Sequence, residues 1–138
     1  MSDELVAPLT IDAVISALNS RDPQQIVTLY ALDATFEEIP VGTPVRGHAA
    51  IAQMFTELFA AFPDFVMTAG KRAEQGEALF WEWIVTGTHQ GAFSGIEPTG
   101  NAIQLRGVSF CCARGGKITE QREYWDLNTL TRQLQAAP

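Results

Sequence analysis

The chain has 138 residues, a formal net charge of −7, and apolar and charged fractions of 46% and 18%, ordinary values for one folded domain with a real core. The acidic balance and the lack of any lysine/arginine cluster argue against a nucleic-acid or anionic-membrane partner. No apolar run is long enough to cross a bilayer, and Met1-Ser-Asp-Glu-Leu-Val lacks the basic region and apolar core of a signal peptide, so a cytoplasmic protein is expected. The two cysteines, Cys111 and Cys112, are adjacent and point to opposite faces of a strand. They read as packing residues in a reducing compartment, not as a disulfide or a metal pair.

In chain order, Thr10 to Ser20 reads as a helix capped by Thr10, with Ile11, Val14, Ile15 and Leu18 as its apolar stripe. Asp22 caps a second helix that carries Pro23 at its first position. Leu32 to Ile39 reads as a strand, and Pro40 to Gly47 as a loop punctuated by proline and glycine. A third helix spans His48 to about Phe62 and stops at Pro63. Phe65–Glu74 and Ala78–Gln90 read as strands joined at Gly76; both faces of the second are apolar, so its inward face stays open. Gly91 to Asn101 is a loop, and Leu127 to Ala136 a short terminal helix. Helices followed by four consecutive antiparallel strands give a single α+β domain over residues 1–138. A curved antiparallel sheet wrapped around the N-terminal helices would enclose a pocket on its concave side.

The hairpin Leu105 to Asp126 carries the chemistry, and its loop length decides its register. A Gly115-Gly116 turn sets Ser109 opposite Arg122; an Arg114-Gly115-Gly116 loop with a left-handed Gly116 and a bulge sets Ser109 opposite Gln121. The bulged loop is the favoured reading. One face then carries Ser109, Cys111, Ala113, Thr119, Gln121, Glu123 and Trp125, and the other Val108, Phe110, Cys112, Ile118, Glu120, Arg122, Tyr124 and Asp126. The first face suits a polar-lined pocket. The apolar members of the second suit a homodimer contact.

The stretch Asp33-Ala-Thr-Phe-Glu-Glu-Ile-Pro-Val-Gly-Thr-Pro-Val-Arg-Gly-His-Ala-Ala-Ile51 resembles bacterial ketosteroid isomerase. Gly87-Thr-His-Gln-Gly-Ala-Phe-Ser-Gly-Ile-Glu-Pro-Thr-Gly100, Gly116-Lys-Ile-Thr-Glu120 and Asp126 with Leu127 to Leu134 resemble the SnoaL-like polyketide cyclases. The resemblance covers nearly the whole chain and implies the cone-shaped fold of the nuclear transport factor superfamily. Fold alone does not give function. In the isomerase the general base is an aspartate just before Pro-Val-Gly; Glu38 holds that place, with Ile39 added. The cyclase aspartate on the last strand maps to Glu123. The partners depart from both patterns: the isomerase oxyanion donors fall on Val14 and Ser109, the cyclase histidine on Ser109 and its glutamine on Gly107.

Glu38 and Glu123 are therefore the candidate catalytic residues, since a carboxylate in an apolar cavity has its pKa raised towards a value useful for moving a carbon-bound proton. His89, Ser109, Gln121 and Trp125 are the candidate substrate-binding residues, His89 standing in the Gly-Thr-His-x-Gly of the loop that would lip the cavity. No metal spacing, phosphate loop or nucleophile elbow is present, and no cofactor is expected. The Asp-Arg-Asp set of an epoxide hydrolase is not found. Two readings follow: an isomerase or aldol-type cyclase acting by proton transfer on a small to medium apolar carbonyl compound, or a non-catalytic module that binds a small apolar molecule.

Overall fold

The computed structural model describes residues 7–137. The stretch inspected for a signal peptide, and the two ends of the proposed 1–138 domain, lie outside the described residues.

Thr10 caps the first helix, α1 (Ile11–Ser20), by accepting from the Ala13 N–H at 3.1 Å. Asp22 caps α2 (Pro23–Val27) in the same way through the Gln24 N–H. Then come β1 (Tyr30–Glu38), β2 (Val45–Arg46), α3 (His48–Ala61), β3 (Val66–Gln75), β4 (Ala78–Thr88), β5 (Ala102–Arg114), β6 (Lys117–Trp125) and α4 (Leu127–Gln135). The strands form one six-stranded sheet in the order β2-β1-β6-β5-β4-β3. β3 to β6 are antiparallel as expected. The expectation of a wholly antiparallel sheet needs correction, because β1 joins β6 in parallel and β2 pairs with β1 from within the segment read as loop. A hairpin pattern reports only sequence neighbours, so a strand that returns across most of the chain leaves no local signal. The sheet is mixed, curved and unclosed, and with the helices it makes an α+β fold.

The register of β5 and β6 combines parts of both expected loops. Arg114 pairs with Lys117, so Gly115 and Gly116 alone make the turn, at φ of +58° and +78°. The bulge is not in the loop but at Thr119: Ala113 faces Ile118 while Cys112 faces Glu120. Ser109 consequently faces Glu123, not Gln121 or Arg122. The extra residue also turns Ile118 inward, where it is fully buried, which removes it from the outer patch expected of it. On β4 the inward residues are Leu79, Trp81, Trp83 and Val85, while Phe80, Glu82, Ile84 and Thr86 face outward.

Helices cover the concave side. Asn19 at the end of α1 brackets the edge strand β3, donating to the Met67 carbonyl at 2.9 Å and accepting from the Met67 N–H at 2.8 Å. Asn101 closes α4 by donating to the carbonyls of Gln133, Leu134 and Ala136. Between this helical cover and the sheet the core does not fill completely.

Candidate active site

The space left is a cavity of about 440 Å³, walled mainly by Phe36, Phe55, Phe62, Trp83 and Phe93 with aliphatic neighbours. Its ionisable lining consists of Glu38, Glu57 and Glu123; no lysine, arginine or histidine lines it among the described residues.

The parallel pairing of β1 with β6 makes the centre of the site. Phe36, Glu37 and Glu38 face Gln121, Arg122 and Glu123 in register. Strand alternation sends Phe36, Glu38, Gln121 and Glu123 inward and Glu37 and Arg122 outward. Two carboxylates thus project from adjacent strands into one cavity. Glu38 accepts from the indole N–H of Trp125. Glu123 accepts from the Ser109 hydroxyl at 2.6 Å on one oxygen and from the Gln121 amide at 2.8 Å on the other. The Trp83 N–H also faces Glu123 closely enough to favour its anion, though it makes no hydrogen bond of ordinary geometry and is itself buried. Gln121 is in turn fixed by the buried Tyr30 hydroxyl, which donates to its amide oxygen.

Burial is the main electrostatic fact. It pushes the Glu38 carboxyl up to about 7, against the opposing pull of the Trp125 N–H. It pushes Glu123 up to about 8, with the Glu38 charge raising it further and the Gln121, Ser109 and Trp83 donors opposing. Such a pair loses its protons in two steps that belong to the pair. Burial also holds Tyr30 and Cys111 neutral, both well above their usual ranges. Arg122 does not reach Glu123; it pairs with Glu120 at 3.1 Å and lies over the Phe110 ring on the outer face.

The six residues singled out from sequence divide as follows. Glu38, Gln121, Glu123 and Trp125 line the cavity together. Ser109 is fully buried behind Glu123, which it supports without lining the space. His89 lies apart from the cavity and clasps the β4–β5 loop: its Nδ1 accepts from the Thr99 N–H at 3.2 Å, and its backbone bonds Asn101 and Gly100. Its ring packs on Phe62, which packs on Phe93, so it reaches the cavity only through the aromatic wall. His48 holds the Tyr30 carbonyl at 2.8 Å.

The site residues read from the sequence do not include Tyr30, Trp83 or Gly107. Gly107 pairs with Trp83, and a β-carbon there would lie 2.4 Å from the indole. Glycine is what lets that ring lie flat on the sheet. The Trp/Gly pair becomes visible only once the β4–β5 register is known. Among the described residues no three His, Cys, Asp or Glu side chains converge as a metal site needs.

Comparison with known proteins agrees with this architecture. The family model described as SnoaL-like polyketide cyclase matches residues 9–134. No curated protein matches. Among solved structures, IdmH of Streptomyces antibioticus, a proposed polyketide cyclase, is 26% identical with a TM-score of 0.75, over 90% of this chain and 94% of its own. AclR of Streptomyces galilaeus, a proposed hydroxylase, is 22% identical with a TM-score of 0.78, over 99% and 98% of the two chains. A protein of Catenulispora acidiphila with a ketosteroid isomerase-like fold is 22% identical with a TM-score of 0.78, over 93% and 94%.

Proposed function

The chain belongs to the SnoaL-like polyketide cyclase family, and from that membership we propose a cofactor-independent cyclase or isomerase that moves protons on a small to medium apolar carbonyl compound. The observation that carries the proposal is the pair Glu38 and Glu123, facing each other in register inside one aromatic cavity with no cationic side chain in its lining. Glu38 is the less buried of the two and loses its proton first, so it is the base. It takes the proton α to the carbonyl, and the C–H electron pair becomes the enol double bond. Glu123, still protonated, donates to the carbonyl oxygen, where the former π pair collects. In the cyclase route the enol carbon attacks a second carbonyl, whose π pair collects on its own oxygen and takes the proton from Glu38, while the enol O–H returns its proton to Glu123 as the first C=O re-forms. In the isomerase route the substrate has a β,γ double bond, and the dienol takes the proton from Glu38 at the γ-carbon while Glu123 recovers its own. The aromatic wall favours an apolar substrate.

The test is hydrogen exchange in heavy water. A simple cyclic ketone should gain deuterium at its α-carbons with the parent protein at least roughly a hundredfold faster than with Glu38→Gln. Equal rates would remove the catalytic reading.

One observation favours the alternative, a non-catalytic binding module. The Trp125, Gln121 and Ser109 donors are all engaged by the two carboxylates, so beside that pair a ligand oxygen is left only the Trp83 N–H and a protonated carboxyl. Tight binding of the same ketone without exchange would select that reading. The proposal also includes a homodimer across the outer sheet face, where Ile84, Val108 and Tyr124 remain 39%, 37% and 43% exposed beside Phe80 and Phe110. A cytoplasmic location belongs to the same reading; no helix of the described residues is long and apolar enough to cross a membrane.

A further inference from the structure

The Gln121 amide bonds a group at each end. On one side is the Tyr30 hydroxyl, and on the other is Glu123 Oε2. When Glu123 is ionised it only accepts, so it takes the amide's nitrogen and leaves the amide's oxygen to the Tyr30 O–H. Tyr30, Gln121 and Glu123 are all at most 5% exposed, so water does not substitute for any link. Tyr30 does not line the cavity, and it is fixed from both ends: its carbonyl is bonded by His48, and its ring packs at 6.3 Å from Phe36.

We infer that Tyr30 is a positioning residue which, through Gln121, sets the proton affinity of Glu123. The inference rests on reading Glu123 as the acid of the site, but it concerns the carboxyl itself and is tested without turnover. With Tyr30 in place, the Gln121 N–H is forced onto Glu123 and favours its anion. Hydrogen bonds in a buried chain polarise one another, so the phenol strengthens the amide donor as well as aiming it. Without the phenol, the amide oxygen has no donor. The amide then turns and presents an acceptor to Glu123, which favours the protonated acid. The other titratable groups facing Glu123 are Glu38 on β1 and Cys111 on β5; Glu57 on α3 lines the same cavity, and among the described residues no cationic side chain does.

The experiment follows the carboxyl carbon of Glu123 by NMR through a pH titration of protein labelled at glutamate. Tyr30→Phe should raise the pH of Glu123 ionisation by roughly half a unit or more, as should Gln121→Met. Because the two act in one chain, the double variant should shift no further than Gln121→Met alone. Tyr30→Phe that melts lower yet leaves the Glu123 titration unmoved, or single shifts that add in the double variant, would overturn the inference. Should Tyr30→Phe not fold, ring-fluorinated tyrosine in a Tyr124→Phe background modifies Tyr30 alone, since the chain has only these two tyrosines. That stronger donor should move Glu123 ionisation down, and an unmoved titration there counts equally against it. The readout is independent of ketone exchange: a silent exchange assay with a shifted carboxyl sinks the catalytic reading and leaves this one standing.

Discussion

Glu123 stands directly across from Glu38 on the neighbouring parallel strand, and neither carboxylate forms an ion pair among the described residues. Each is an acid without a cationic partner beside another acid, Glu123 buried and Glu38 half-buried, which is the arrangement that ties stability to pH. The folded pair keeps its protons up to about 7 and about 8, whereas an unfolded glutamate releases its proton near about 4.3. Between those limits the folded state binds protons that the unfolded state does not, so stability falls as pH rises. The contribution is whole below the unfolded value and lost once pH has passed the folded values.

Glu38→Gln should accordingly melt higher than the parent at about pH 8, by on the order of 1–2 kcal/mol, with a smaller difference at about pH 5. Its amide oxygen still accepts from Trp125. Glu123→Gln should gain less, because both of its carboxylate oxygens accept in the parent and an amide nitrogen in place of one would meet a donor; Ser109, which donates in the parent, would have to turn and accept. Thermal melts of the three proteins across this range check the sign; a parent that grows more stable from about pH 5 to about pH 8 would contradict it.

Gly107→Ala should displace the Trp83 ring from the cavity wall, since the new β-carbon would fall 2.4 Å and 2.5 Å from two indole carbons and 2.6 Å from the Tyr124 carbonyl. Backbone cannot yield as a flexible side chain does, so the expected cost is roughly 1–3 kcal/mol. Denaturant titration gives that cost, and a changed tryptophan emission spectrum reports the moved ring.

Asn101→Ala should weaken ligand binding from a distance. One side-chain amide serves three carbonyls at the end of α4, and α4 places Leu130 in the cavity lining. Removing the amide leaves those carbonyls without this donor, at a cost of about 1–2 kcal/mol. Melting of the variant, with titration of an apolar ketone beside it, should show a lower midpoint and a weaker affinity together.

The outer face should hold two copies together. Light scattering is expected to give a dimer mass at micromolar concentration, and Val108→Asp or Tyr124→Asp, each placing a charge in the apolar patch, should give a monomer. A monomeric parent would show that Phe80 and Phe110 are covered well enough by Arg122 on the chain's own surface.

Much of this architecture is legible from the chain, for physical reasons. The caps Thr10 and Asp22, the proline at the first turn of α2 and the periodic apolar stripe of α1 act within a few residues. So do the two glycines of the β5–β6 turn. Glu38 and Glu123 stood out because each fills a carboxylate position of a family resemblance. Two facts needed three dimensions. The bulge at Thr119 shifts pairing by one residue without any glycine to announce it, and so moved Ile118 from the surface to the core. His89 sits in the expected loop motif, but its ring nitrogen is taken by the Thr99 N–H, which sequence spacing does not reveal.

The parallel union of β1 with β6 also fixes when the site comes into being. The Tyr30–Gln121 and Trp125–Glu38 bonds join residues 91 and 87 positions apart. Contacts of such long sequence separation carry a large loop-closure cost and form slowly. On a ribosome, β1 emerges early and has no neighbour on the side that β6 later takes. Glu38 has neither Glu123 nor Trp125 beside it until nearly all of the sheet has been synthesised. Assembly of the pair is therefore a late folding event, and a chain nicked between Gly115 and Gly116 would leave one carboxylate on each fragment, restoring the buried couple only when the two pieces recombine.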